Sequence, residues 1–130
     1  MKTILVDAVY CFVIEGDGGF KIFKEMHDLL ETFPNRKILL TGADDEQFKK
    51  FGFDKVPYEV FTLKHNPEKT DPKYYEIMLK HFGLDKNNVV YFEQNLNAVK
   101  SAQSIGIATH YYDRYKKDLV ALKDFLVTNL

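Results

Sequence analysis

The stretch Thr3-Ile4-Leu5-Val6-Asp7, close to the start of the chain, decides the fold that we expect. An apolar run that ends in an acidic residue is typical of a buried strand carrying a carboxylate at its C-terminal end. Three further polar residues, Thr41, Lys69 and Glu93, follow apolar runs or precede a helix start. Because the carboxyl ends of parallel strands meet at one edge of a sheet, we expect Asp7, Thr41 and Glu93 to converge there.

Apolar runs and amphipathic segments alternate along the rest of the chain. Five segments have the apolar character of buried strands: 3–6, 37–40, 59–63, 89–92 and 107–111. Apolar residues at helical spacing, capping residues and glycine stops predict helices at 22–33, 45–51, 72–82, 95–105 and 119–126. We therefore predict the α/β class, as a three-layer α/β/α sandwich with a five-stranded parallel, Rossmann-like sheet.

The segment 8–20 interrupts this alternation. It combines alternating apolar residues with the glycine-rich sequence Gly16-Asp17-Gly18-Gly19, which predicts a small hairpin or flap. The glycines are not followed by the helix and the Lys-Ser/Thr pair of a phosphate-binding loop. We therefore assign them to a turn.

Length and composition describe one ordinary globular domain, residues 1–130. Apolar residues make up 45%, charged residues 28%, and the net charge is −1, so nothing favours nucleic acid or a membrane as a partner. The N-terminal apolar run is too short for a signal peptide, and no segment approaches the roughly 20 apolar residues of a membrane span. The single cysteine, Cys11, excludes an internal disulfide, and we expect a cytoplasmic protein.

Four motifs, in this order along the chain, resemble those of the haloacid dehalogenase (HAD) superfamily, whose members are mostly phosphohydrolases with an aspartate nucleophile. The motifs are Ile4–Asp7, Leu39–Gly42, Lys69–Pro72 with Tyr75, and Val90–Asn95 followed by Ala98, Ala102 and Gly106. The resemblance covers nearly the whole chain and implies the HAD-like fold.

The resemblance also implies chemical roles. A carboxylate nucleophile, here Asp7, would divide phosphoryl transfer into two displacements through an aspartyl-phosphate. Thr41 and Lys69 would be the other catalytic residues, because a hydroxyl and an ammonium neutralise charge on the phosphate oxygens. Phosphate binding would fall to Thr41, Gly42 and Lys69, and Mg²⁺ would be held by Asp7, the backbone carbonyl of Val9 and Glu93.

Two positions depart from the pattern of the superfamily. Val9 stands where most of its phosphatases carry a second Asp that protonates the leaving group, a contribution typically worth about 10²–10⁴ in rate. Gln94 follows Glu93 where a second acid or a small polar residue is usual, so magnesium affinity should be reduced. We therefore expect a weak or specialised enzyme.

The spacing of the motifs leaves no room for a cap domain. The interval from Asp7 to Thr41 is 34 residues and that from Thr41 to Lys69 is 28. An open site of this kind suits a phosphorylated small molecule or macromolecule as substrate, or a protein partner that covers the site.

Other interpretations are open. The chain could be a catalytically inactive HAD-like protein that binds or interacts. A two-component receiver domain is the minor interpretation, because it needs an acidic pair after the first strand and an Asp after the third, where this chain has Leu63-Lys64-His65. Dehalogenation carries little weight. Cys11 is expected to be a small buried residue. The four histidines have no ligand spacing, so we expect each to be structural or exposed: His27, His65, His81, His110.

Overall fold

The computed structural model describes all residues, 1–130, and contains seven strands and five helices. The strands are β1 Thr3–Asp7, β2 Val13–Gly16, β3 Gly19–Ile22, β4 Lys37–Thr41, β5 Glu59–Thr62, β6 Val89–Glu93 and β7 Ala108–Tyr111. The helices are α1 Lys24–Glu31, α2 Asp45–Lys50, α3 Pro72–Phe82, α4 Leu96–Ser104 and α5 Leu119–Asn129, with short 3₁₀ turns at Phe53–Lys55 and Lys86–Asn88.

Five strands form one parallel sheet in the order β5-β4-β1-β6-β7. The chain winds outward from β1 through β4 to β5, and then returns to the other side of β1 for β6 and β7. The winding therefore reverses at β1, and ligands of open α/β sheets bind beyond the carboxyl ends of the strands at such a reversal.

Side chains that alternate along the strands cover both faces of the sheet. On one face Ile4 and Val6 pack in a core with Met26 of α1 and Leu122 of α5. On the other, Leu5 packs in a second core with residues of α3 and α4: Tyr74, Tyr75, Met78, Ala102. The three-layer sandwich with a five-stranded parallel sheet is thus confirmed. No helix is long and apolar enough to cross a membrane.

The hairpin is confirmed as well, with β2 and β3 paired antiparallel around the glycine turn. The predicted start of the first helix was wrong by two residues. Ile22 lies in β3, opposite Val13, and the helix begins only at Lys24. Ile22 and Met26 have helical spacing, but pairing across the hairpin holds Ile22 in an extended conformation.

Candidate active site

The register of the sheet places the predicted site residues side by side. Asp7 pairs with Leu40, one residue before Thr41, and Val6 pairs with Phe92, one residue before Glu93. Asp7 and Glu93 therefore lie level on neighbouring strands, and Thr41 lies just beyond them. A cavity of about 220 Å³ at this edge contains every predicted site residue in its lining. Its twelve lining residues are Asp7, Val9, Thr41, Gly42, Ala43, Gln47, Phe51, His65, Lys69, Glu93, Gln94 and Asn95.

Lys69 joins the two acidic residues. Its Nζ lies 2.6 Å from Oδ1 of Asp7 and 2.7 Å from Oε1 of Glu93. The side chain of Lys69 is 16% exposed, whereas those of Asp7 and Glu93 are 2% and 0% exposed. Lys69 reaches this position because the Asp71 side chain caps α3 at the backbone N–H of Lys73, and Pro72 begins the helix.

Both carboxylates are held by further donors. The backbone N–H of Gln94 donates to Oδ2 of Asp7 at 3.1 Å, and the thiol of Cys11 lies 3.5 Å from the same oxygen. The backbone N–H of Asn95 donates to Oε2 of Glu93 at 3.0 Å, and the Tyr91 hydroxyl donates to Oε1. The orientation of each carboxylate is thereby fixed before any ligand arrives.

Burial and mutual proximity give the three charged groups different pKa shifts. Burial, reinforced by the negative charge of Glu93, raises the pKa of Asp7 well above its usual value, although Lys69 opposes the shift. Burial also acts to raise the pKa of Glu93, but the Lys69 ammonium and the hydrogen bonds to the carboxylate outweigh it and lower that pKa. For Lys69 burial acts to lower the pKa, and the two carboxylates raise it well above the usual value. Lys69 is therefore a permanent cation here.

Thr41 and Gly42 form the adjacent part of the cavity. The hydroxyl oxygen of Thr41 accepts from the backbone N–H of Ala43 at 3.2 Å, and its carbonyl accepts from the hydroxyl of Tyr74 at 2.7 Å. No acceptor in the protein contacts the backbone N–H of Gly42 or of Val9. Two unpaired N–H groups on residues that line the same cavity as Lys69 are suited to binding the oxygens of an anion such as phosphate.

Magnesium, which the resemblance implies, has two kinds of oxygen available here. The carboxylate of Asp7 and the carbonyl of Val9 both belong to residues that line the cavity, and no N–H in the protein donates to that carbonyl. Glu93 already accepts from three donors, which suits contact through water. No three His, Cys, Asp or Glu side chains are grouped around one point, so the side chains alone offer few ligands. These residues fit a magnesium ion that keeps much of its water and also binds the substrate phosphate.

Four residues that line the cavity were not predicted as site residues: Ala43 and His65 from loops, Gln47 from α2, and Phe51 from the end of that helix. His65 was predicted to be structural or exposed because it has no ligand spacing, and its side chain is 39% exposed. Its ring contacts Gln47 and Glu68, and it lines the same cavity as Asp7. Only its position shortly before the Lys69 motif could have signalled this.

Neither a family model nor a curated protein sequence matches the chain. Solved structures do. A HAD family enzyme from Bacteroides thetaiotaomicron, an Asp-to-Ala variant in complex with magnesium and inorganic phosphate, is similar with a TM-score of 0.69 at 13% identity, over 85% of this chain and 93% of that one. An uncharacterised protein from Corynebacterium glutamicum gives a TM-score of 0.65 at 14% identity, over 98% and 96% of the two chains.

The core domain of a Streptococcus pneumoniae protein, provisionally named a phosphoglycolate phosphatase, gives a TM-score of 0.60 at 16% identity, over 98% of this chain and 96% of that one. Together these similarities show the fold of the chain. The chain has the HAD-like fold, as its four motifs predicted.

Proposed function

We propose that this protein is a magnesium-dependent phosphohydrolase or phosphotransferase that acts on phosphomonoesters through an aspartyl-phosphate on Asp7. The observation that carries the proposal is the Lys69 ammonium, 2.6 Å from Asp7 in a cavity with the unpaired N–H groups of Val9 and Gly42. This arrangement offers a nucleophile and donors for the phosphate oxygens in one place.

In the first step the Asp7 carboxylate attacks phosphorus and the bond to the leaving oxygen breaks. The Thr41 hydroxyl, the N–H groups of Val9 and Gly42, and Lys69 hold the phosphate oxygens, on which negative charge is concentrated. Asp7, the Val9 carbonyl and Glu93 would hold magnesium, whose positive charge would help to neutralise the phosphate. In the second step water attacks the aspartyl-phosphate, which releases phosphate and restores Asp7.

The substrate belongs to the class of phosphorylated small molecules or phosphorylated macromolecules. Between β1 and β4 the chain forms only the hairpin and α1, and between β4 and α3 only α2, a 3₁₀ turn and β5. Neither interval supplies a second layer over the cavity, which supports a bulky substrate or a protein partner that covers the site. The cavity of about 220 Å³ is smaller than typical ligand pockets of about 300–1,000 Å³, and it suits the phosphate end of such a substrate.

The alternative is a binding protein that keeps the HAD-like fold without turnover. The apolar side chain of Val9 favours it, because valine cannot donate or accept the proton that most phosphatases of this fold exchange with the leaving group.

The test is turnover of p-nitrophenyl phosphate with magnesium, because its leaving group needs little protonation. We expect slow, magnesium-dependent turnover that falls at least 10²-fold in Asp7→Asn. Asp45→Asn is the matched control, since Asp45 is 86% exposed and pairs only with Lys64. Equal rates in wild type and Asp7→Asn, together with no heat of magnesium binding by calorimetry, would favour the binding protein.

A further inference from the structure

His65 lies at the mouth of the cavity and is held from two sides. It follows β5, and its Nδ1 is 2.8 Å from Oε1 of Glu68, while its Nε2 is 2.5 Å from Oε1 of Gln47. A Cβ atom added to Gly42 would lie 3.4 Å from Nδ1 of His65. The imidazole therefore packs directly against the segment that offers an unpaired N–H to the phosphate.

The hydrogen-bond partners of the ring define which of its nitrogens are placed to donate. Oε1 of Gln47 also accepts from the backbone N–H of Asp44 at 3.1 Å, in the capping box at the start of α2, so the amide oxygen faces His65. Both partners of the ring, the Gln47 oxygen and the Glu68 carboxylate, are acceptors. Nε2 is therefore placed to donate to the Gln47 oxygen, and Nδ1 to the Glu68 carboxylate.

The backbone supports a functional interpretation of this geometry. Lys64 and His65 have φ angles of 52° and 64°, a left-handed conformation that non-glycine residues adopt only rarely. The backbone N–H of Lys64 donates to the Thr62 hydroxyl oxygen at 3.0 Å, and that hydroxyl donates to the Ala43 carbonyl at 2.6 Å. The strained turn is thus tied to the loop after Thr41, and such strain is concentrated at functional sites.

We propose that His65 performs the acid–base role that the apolar side chain at Val9 cannot perform, and that Glu68 is its positioning residue. This inference rests on the proposed function. As Asp7 attacks phosphorus, the bond to the leaving oxygen breaks. His65 transfers its Nε2 proton, which until then is hydrogen-bonded to Gln47, to that oxygen, and the oxygen leaves as an alcohol. Neutral His65 then takes a proton from the attacking water. The bond between phosphorus and Asp7 breaks, and inorganic phosphate, free Asp7 and imidazolium result.

The test compares an alkyl phosphate, glycerol 2-phosphate, with p-nitrophenyl phosphate. In His65→Asn we expect kcat on the alkyl phosphate to fall about 10²-fold, and kcat on the aryl phosphate to fall at least tenfold less. Asparagine tolerates the left-handed backbone, so folding is preserved. Glu68→Gln should lower the alkyl rate by a smaller factor. His81→Asn is the control, because His81 packs against Phe61 and Phe82, away from the cavity.

Two rescue experiments exclude a merely structural role. His65→Gly keeps the positive φ without steric cost and leaves room for added imidazole, which should restore alkyl phosphate turnover in a concentration-dependent manner. Val9→Asp in the His65→Asn background should also restore it, because it supplies the acid usual for the fold. Restoration by neither would overturn the assignment.

The outcomes separate this inference from the proposed function. Turnover of p-nitrophenyl phosphate that depends on Asp7, with equal losses on both substrates in His65→Asn, overturns the role of His65 alone. Absence of any Asp7-dependent turnover overturns the proposed function and the role of His65 with it.

Discussion

Lys69 is the residue on which the stability of the site depends. It is the cation between two carboxylates that are almost completely buried. A buried carboxylate without a partner is far more costly than one with a partner, because the protein interior cannot replace its hydration. Lys69 is thus required by the folded state as well as by the proposed chemistry.

Replacing Lys69 by methionine, which keeps most of the apolar stem, should lower the free energy of unfolding at pH 7 by about 3–5 kcal/mol. The loss should shrink on acidification, because Asp7 and Glu93 can then share a proton in the folded state. Chemical denaturation at pH 5 and pH 7 measures both effects.

The matched control for that experiment is Lys64→Met. Lys64 pairs with Asp45 at 3.0 Å, but the two side chains are 59% and 86% exposed. A surface pair of this kind contributes about 0–1 kcal/mol, so the control should be nearly as stable as the wild type. Equal losses in the two variants would show that the buried cluster does not depend on Lys69.

At the residue scale, the site residues at the ends of strands could be predicted from the sequence. The site residue that depends on contacts between distant loops could not. The convergence of Asp7, Thr41 and Glu93 follows from the geometry of any parallel sheet. The role of His65 does not, because it depends on a left-handed turn and on partners from α2 and from its own loop. No periodicity or motif spacing encodes such contacts.

Among the elements, the β2–β3 hairpin is joined to the rest of the molecule by aromatic rings. Phe20 of β3 packs edge-to-face on Phe51, which ends α2, with ring centroids 4.6 Å apart, and Tyr10 packs on the other side of Phe20 at 5.9 Å. An isolated two-stranded hairpin is marginally stable in water, so contacts of this kind hold it in place. Phe51 also lines the cavity, so the position of the hairpin affects the mouth of the site.

A double-mutant cycle with Phe20→Leu and Phe51→Leu should give a coupling energy of about 0.5–1.5 kcal/mol. Leucine keeps much of the buried apolar area, so the coupling reports the ring geometry. Denaturant titration of the wild type, the two single variants and the double variant measures it. If the losses in free energy of unfolding are strictly additive, the contact between the two rings does not stabilise the hairpin.

The elements themselves were largely predictable. Continuous apolar runs identify the five strands of the sheet, since both of its faces are covered. The boundary at Ile22 was not predictable, because an apolar residue four positions before Met26 satisfies the helical period equally well. Ile22 is extended because it pairs with Val13, nine residues earlier in the partner strand.

For the whole molecule, the core between the sheet and the α3–α4 layer contains a cluster of tyrosines that borders the active site. Tyr74, Tyr75 and Tyr91 are completely buried, and the hydroxyls of Tyr75 and Tyr91 are 3.3 Å apart. Burial raises the pKa of each phenol above its ordinary value. The folded state therefore holds these protons more tightly than the unfolded chain.

This difference predicts that stability decreases in alkali. A group whose pKa is raised in the folded state contributes stability below the unfolded pKa, near 10 for tyrosine, and loses it above that pH. These three phenols alone should lower the free energy of unfolding by about 4 kcal/mol between pH 9 and pH 11, at roughly 1.4 kcal/mol for each. Urea titrations across this range measure the slope.

Tyr75→Phe should make that fall smaller by about 1.4 kcal/mol, because one buried titrating phenol is removed. Tyr115→Phe, at a ring that is 80% exposed, is the control. A fall of the same size in Tyr75→Phe and in the wild type would contradict the role of the buried phenols.

The bonds that hold the two acids also carry an evolutionary consequence. Asp7, Lys69 and Glu93 compensate one another inside the fold, so losing any one of them would be selected against even in a lineage that no longer needs turnover. Their persistence in descendants would then record selection for folding. His65, at the solvent-facing mouth, is free of that constraint. If the lineage lost its phosphate chemistry, substitutions would accumulate first at His65, while Asp7, Lys69 and Glu93 remained unchanged.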